Sequence, residues 1–201
     1  YRKEWKEQYL GGRGVGVRLV YDLVDPATDP LGDGNAIVLA AGPLTGSGMP
    51  LGSRYAVVTK SPLSGTLSSS SSGGFFGTEL RRAGIDGVLL EGRSLSPVYL
   101  WIRGGRCEIR DASPFWGMPT DRTIDGIQRD LAEPRARVAC IGPAGERLVK
   151  TTVALVDKVH SLGKGVQPLK TIQLFIKPHE IPGKQAAFIF GDCRPPTVKC
   201  V

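Results

Sequence analysis

AGPLTGSGMPLGSRYAVVTKSPLSGTLSSSSSGGFFGTELRRAGIDGVLLEG, residues 41–92, sets the reading of the whole chain. It runs from the end of one buried strand through a Gly/Pro-rich bend into a second strand flanked by Arg54 and Lys60. A serine run follows, then Gly73 and Gly74 opening a short helix, then a third strand. Helix starts carry unpaired backbone N–H groups and a partial positive charge, and glycines let an anion approach the backbone closely. Arg54 and Lys60 are expected to supply full charges. In the helix, Phe75, Phe76 and Leu80 are expected to face inward while Arg81 and Arg82 stay wet. The layout suits an anion site. A Ser-rich loop that merely caps a helix has the same pattern, and a short glycine motif alone does not separate the two.

Working outward, Ala36–Ala41, Tyr55–Thr59 and Val88–Glu91 are apolar runs of strand length. Pro97–Ile102 and Arg106–Arg110 flank Gly104-Gly105, a short-loop hairpin signal. Residues 1–10 and Val15–Val24 read as helices, the second stopped before Asp25-Pro26. Helical spacing of Ile124, Ile127 and Leu131 predicts a helix over Asp121–Leu131, and Arg137–Ile141 another strand. Strands dominate without regular βαβ alternation. The expected fold is α+β, with twisted, largely antiparallel sheets and a few short helices. GGRGVG (11–16) lacks G-x-G-x-x-G spacing and follows a charged helix, so its glycines are expected to serve packing or a loop.

The 201 residues are 41% hydrophobic and 22% charged, ordinary for a globular chain with a real core. No run reaches the ~18 apolar residues of a membrane span, and YRKEWKEQYL lacks the apolar core of a signal peptide. A cytoplasmic protein is expected. The net charge of +7 admits anionic cofactors or an acidic partner, but no basic stripe interleaved with aromatics marks a nucleic-acid module, so nucleic acid is not the expected partner.

The four cysteines form no metal framework. Cys107 and Cys140 sit in strands, where a thiol is usually a small core residue. Cys193 and Cys200 are separated by six residues, too loose a spacing for the close pairs of zinc or iron–sulfur sites. His160 and His179 lack the partners a general base needs, and Ser68–Ser72 reads as a flexible loop. Asp86 and Asp111 are expected to form turns. No catalytic residue is assigned.

The strings AGPLTG (41–46), GSRYAVVTKSPLSG (52–65), SGGFFGTELRRAGIDGVLLEG (72–92), PVYLWI (97–102), EIRDAS (108–113), FWG (115–117) and RVACIGPAGERLVK (137–150), with YLGGRGVG (9–16) and DPLGDGN (29–35), are collinear. Together they resemble the N-terminal domain of the tungsten-containing aldehyde ferredoxin oxidoreductases over roughly residues 9–150. The resemblance implies a tungstopterin-binding domain at 1–150: a tungsten (or molybdenum) atom held by two pterin dithiolenes, their phosphates bridged by magnesium, with a 4Fe–4S cluster passing electrons to ferredoxin as an aldehyde becomes a carboxylate. It further implies that Arg54 lies between pterin and cluster, and that the backbone of Gly73, beside Gly74, approaches a pterin phosphate. Ser71 stands where the family commonly has an asparagine whose carbonyl serves the magnesium. The family's later Arg-Ala phosphate contacts fall at Ser161-Leu162, where neither residue is kept.

Cluster cysteines and acid/base residues belong to later family domains, so the implied partners are those missing C-terminal domains or a separate catalytic chain, ferredoxin, and a further copy of this chain as a homo-oligomer. No membrane is expected. Family members carry a strand hairpin ahead of YLGGRGVG, so an uncovered sheet edge is expected here. Residues 151–201, with seven Lys/Arg against three Asp/Glu, read as a divergent basic tail in which Gln173–Ile176 and Ala187–Phe190 have strand character among prolines 178, 182, 195 and 196. Three readings stay open: the cofactor-binding part of an oxidoreductase, a non-catalytic relict or scaffold keeping only an anion site, and a basic binding module whose interactions would be strongly salt-dependent.

Overall fold

A computed structural model describes residues 3–152, 154–158, 160–161, 172–176 and 197–200. The helices are α1 (Lys3–Tyr9), α2 (Gly12–Leu23), α3 (Phe76–Arg82), α4 (Thr120–Asp130) and the single turn α5 (Pro143–Glu146). The strands are β1 (Ala36–Ala41), β2 (Tyr55–Lys60), β3 (Leu67–Ser72), β4 (Gly87–Glu91), β5 (Val98–Arg103), β6 (Arg106–Asp111) and β7 (Arg137–Cys140), followed by β8 (Leu155–Val156), β9 (His160–Ser161), β10 (Ile172–Ile176) and β11 (Thr197–Cys200). The α+β expectation is met.

One sheet has the order β11-β4-β1-β2-β3 and is antiparallel throughout. The other, β6-β5-β10-β7-β8-β9, has a single parallel pairing, β10 with β5. The first sheet is bounded by β11, which pairs the outer side of β4, and by β3, whose other side carries no strand among the described residues. Gln173–Ile176 falls within β10, and Ala187–Phe190 lies outside the described residues.

Period-two alternation assigns each face. Ile37, Leu39, Tyr55, Val57, Val88 and Leu90 from the first sheet meet Leu100, Ile102, Ala139, Ile141 and Val156 from the second, with Phe76 and Leu80 of α3 wedged in the same core. On the far face of the first sheet, Val38, Ala40, Ala56, Val58 and Leu89 pack under Val20 and Val24 at the end of α2. On the far face of the second, Tyr99, Trp101, Val138 and Cys140 pack under Ile124 and Ile127 of α4 and under Phe115. The order of layers is helix, sheet, sheet, helix. β1, covered on both faces, is therefore apolar at every position.

The glycines of GGRGVG serve this layering. A Cβ on Gly16 would lie 2.7 Å from Val58 Cγ2, so α2 reaches the sheet closely only because that position is bare. Beneath the far end of β1 and β2, buried Asn35 ties down the loop that enters β1: its Nδ2 donates to the carbonyls of Pro30 (2.8 Å) and Lys60 (3.1 Å), and its Oδ1 accepts from the Ala36 N–H (2.9 Å).

Two sequence expectations fail in this region. Ser68–Ser72 is not a loop: it lies within β3, each serine in register with β2 from Thr59↔Ser68 to Tyr55↔Ser72. Serine's low strand preference is overridden by the ladder to a buried neighbour. Phe75 does not face inward: it is 60% exposed, while Phe76 is wholly buried. The helix starts one residue later than an inward Phe75 requires, with Phe75 as its N-cap. Cys140 is a buried free thiol, as expected; Cys107, half-buried in β6, is disulfide-bonded rather than a plain core thiol.

Candidate functional site

The β2–β3 hairpin positions the predicted residues. Its register pairs Ala56 with Ser71 and Tyr55 with Ser72. Carried one step further, it sets Arg54 across from Gly73. Cross-strand partners share a face, so Arg54, Ser71 and Gly73 belong to one face at the hairpin's open end, away from the core that receives Tyr55. Arg54's backbone is pinned there, its carbonyl accepting from the Gly42 N–H at 3.1 Å and from the Thr45 hydroxyl, while its side chain is exposed.

Gly73 and Gly74 form the exit from β3. A Cβ on Gly73 would meet nothing within 4 Å, so nothing in the surrounding fold demands a glycine there; the space beside it is open to a ligand. Gly74 has φ +79°, a conformation that favours glycine, and turns the chain into α3. Ser71 is exposed on β3, whose side away from β2 carries no strand among the described residues.

Lys60 does not join this group. It lies at the other end of β2, five residues or roughly 17 Å from Tyr55, where its Nζ donates to the carbonyls of Pro26 (2.5 Å) and Thr28 (2.7 Å). It fastens the same loop that Asn35 holds. Arg82 pairs with Glu79 at 2.7 Å, and Arg81 pairs with Asp86. Asp111 closes a turn by accepting from the N–H (3.1 Å) and hydroxyl (2.6 Å) of Ser113, which hold its carboxyl below the usual range. Ser161 lies in β9; Leu162 and His179 lie outside the described residues.

The motif reading missed the polar groups on the inner side of the hairpin end. The Tyr55 hydroxyl is buried beside Ser72, with no partner at full hydrogen-bond geometry among the described residues. Burial pushes its pKa up, nearby Ser72 offsets part of that, and the negative charge of Asp157 adds to it. Asp157, just past β8, ion-pairs with Arg137 at the start of β7 at 3.7 Å. The Arg137 guanidinium lies 4.8 Å over the Phe75 ring. No spacing rule links residues 55, 75, 137 and 157; only the meeting of the two sheets brings them together.

A cavity of about 180 Å³ lies elsewhere, beside the start of α2, with walls of Val15, Leu19, Val38, Ala40 and Leu89 and with Arg81 and Asp86 in its lining. None of Arg54, Ser71, Gly73 and Gly74 lines it. Among the described residues no group of three or more His, Cys, Asp and Glu could hold a metal ion, and no helix is long and apolar enough to cross a membrane. The site is thus a backbone-and-arginine surface at the open end of the β2–β3 hairpin.

The family model "Aldehyde ferredoxin oxidoreductase, N-terminal domain" matches residues 1–166. The tungsten-containing aldehyde ferredoxin oxidoreductase of Pyrococcus furiosus is 43% identical over 165 residues, and that of Thermococcus kodakarensis 42% over 164. Each alignment covers 82% of this chain and 27% of the relative. An aliphatic sulfonate oxidoreductase WOR-like subunit of P. furiosus is 31% identical over 79% of this chain and 28% of its own length. Among solved structures, the active-site complex BamBC of benzoyl coenzyme A reductase superposes with a TM-score of 0.81 at 32% identity, covering 89% of this chain and 28% of that one. The chain belongs to the aldehyde ferredoxin oxidoreductase family and corresponds to its N-terminal domain. It spans about a quarter of the length of the relatives it matches.

Proposed function

We propose that this chain is the cofactor-binding portion of a tungsten (or molybdenum) bis-pterin oxidoreductase that oxidises aldehydes to carboxylates with ferredoxin as acceptor. The observation that carries the reading is the empty space beside Gly73 facing an exposed, backbone-pinned Arg54. These residues fit a phosphate-bearing cofactor.

In this reading the metal, when bound, supplies the redox chemistry. The chain's own residues bind and orient. The backbone at Gly73–Gly74 receives a phosphate, the Arg54 guanidinium hydrogen-bonds anionic groups alongside it, and the Ser71 carbonyl offers an oxygen to magnesium. The β2–β3 hairpin holds these groups in fixed register. The rest of the active site, including a 4Fe–4S cluster, belongs to the three-quarters of the relatives' length that this chain does not span, whether in one chain or in a partner. A non-catalytic scaffold that keeps only the anion site is the second reading, favoured by the change from the family's Arg-Ala pair to Ser161-Leu162.

Titration of the purified chain with inorganic pyrophosphate and magnesium, followed by calorimetry, tests the anion site. Saturable binding that weakens about tenfold in Arg54→Gln, the loss of one charge-assisted contact, is the expected result. A wild-type chain that does not bind pyrophosphate contradicts the assignment.

A further inference from the structure

The cavity beside the start of α2 shares no lining residue with Arg54, Ser71, Gly73 and Gly74, and nothing in the proposed function uses it. Its existence follows from how α2 is docked. The bare Gly16 seats the helix on Val58 of β2, and α2 packs over β2 and β1. The cavity opens between the helix and β4, where Gly87, Val88 and Leu89 line it. Small residues deepen it: Gly11 and Gly12 on the helix side, Ala40 and Gly42 on the sheet side. The walls Val15, Val38, Ala40 and Leu89 are apolar and buried. Native interiors leave few voids larger than a water molecule, so a volume of about 180 Å³ stands out. An engineered apolar cavity of about 150 Å³ stays dry and binds benzene. The space here is of that size and kind.

One end of this space is polar. Arg81, in the last turn of α3, pairs with Asp86 just ahead of β4, and both line the cavity. Asp86 is fixed through its carbonyl, which accepts from the Ala41 N–H at 2.9 Å, and Arg81 Nε reaches the Thr45 carbonyl at 3.4 Å. The two side chains are 31% and 38% exposed, so the pair stands at the mouth and not among the walls. Its opposite charges cancel at a distance, which removes the pull on a charged ligand. What remains is a donor beside an acceptor: a guanidinium has five N–H donors and a carboxylate about four acceptor sites, more than one ion pair occupies. A hydroxyl, which both donates and accepts, matches that combination. We propose that this cavity is a binding site for a ring-sized apolar alcohol or phenol, its ring among Val15, Leu19, Val38 and Leu89 and its hydroxyl between Arg81 and Asp86. The site is separate from the anion site and stands or falls without it.

Titration of the isotope-labelled whole chain with benzyl alcohol, followed through its amide signals by nuclear magnetic resonance, tests this. The expected result is saturable shifts at the lining glycines Gly12, Gly42 and Gly87, with Gly65 and Gly104, in the β2–β3 and β5–β6 turns, unmoved. Toluene, which keeps the ring and lacks the hydroxyl, is expected to bind about tenfold more weakly, the scale of a hydrogen bond to a charged group. Leu19→Phe, which fills the space from a half-buried position on α2, is expected to abolish the shifts. A wild-type chain with no saturable shifts, or with equal shifts at Gly65 and Gly104, overturns the proposal whatever the variant does. Equal affinity for toluene overturns the placement of the hydroxyl at Arg81 and Asp86, and with it the alcohol class. A folded Leu19→Phe chain that binds as wild type does puts the ligand elsewhere and overturns the site.

Discussion

Gly16 on α2 faces Val58 on β2 with no room between them: a Cβ at residue 16 would fall 2.7 Å from Val58 Cγ2 and 3.3 Å from Val58 Cβ. The outer helical layer is docked through this bare spot. Gly16→Ala forces either the helix or Val58, which is fully buried, to move. Overpacking of this kind costs about 1–3 kcal/mol, which for a chain of this size is a fall in Tm of about 2–4 °C per kcal/mol. Thermal unfolding followed by circular dichroism checks it. Gly16→Ala combined with Val58→Ala is expected to recover part of the Gly16→Ala loss, because the same methyl groups cause it.

Cys140 makes stability depend on alkali. Burial pushes its thiol pKa up from about 9 to about 12, with Glu146 adding to the shift. The folded state thus favours the neutral thiol. Its contribution is fully present below the unfolded pKa and is lost as pH rises, because above about pH 9 the unfolded chain releases a proton that the folded chain retains. Stability should fall by about 1.4 kcal/mol per pH unit between pH 9 and 12 from this group. Denaturant unfolding at several pH values is expected to show a flatter slope in Cys140→Ala. Above about pH 10 the slope returns, because burial also raises the Tyr55 hydroxyl.

Gly73→Ala separates binding from folding. The added methyl meets nothing within 4 Å, and Gly73 is not among the residues with positive φ. Loss of glycine's freedom in the unfolded chain stabilises by about 0.4–1 kcal/mol, so Tm should hold or rise slightly. Pyrophosphate affinity should fall about tenfold, as the methyl keeps the anion from the backbone hydrogen bonds it would accept. Calorimetry and thermal unfolding on the same sample check both halves. A variant that binds as tightly as wild type shows that the space beside Gly73 holds no ligand.

Much of the architecture was legible from single stretches. Ala36–Ala41 is apolar at every position because helix and core cover both its faces, and Gly104-Gly105 sits between β5 and β6 as the turn signal required. The glycines of the second helix read correctly as packing residues. β3 was hidden because five consecutive serines carry no alternation; only the register with β2 reveals them as a strand. Of two adjacent phenylalanines, which one enters the core depends on where the helix begins, a boundary uncertain by a residue or two in any sequence. The site was half legible. Arg54, Ser71, Gly73 and Gly74 lie within one hairpin, so local motifs brought them together. Lys60 was misplaced because its distance from Arg54 along an extended strand outweighs their closeness in sequence. Arg137, Asp157 and Tyr55 converge only through the packing of one sheet on the other.

The most direct test of the central claim is metal and phosphorus analysis of the protein isolated under native conditions from its own cells, with the mass of every co-purifying chain. The account predicts tungsten or molybdenum together with phosphorus and iron, in a full-length chain or in company with a larger cysteine-bearing one. Protein that carries neither metal nor phosphorus and has no such partner would contradict it, and would leave a scaffold that retains the family's fold without its chemistry.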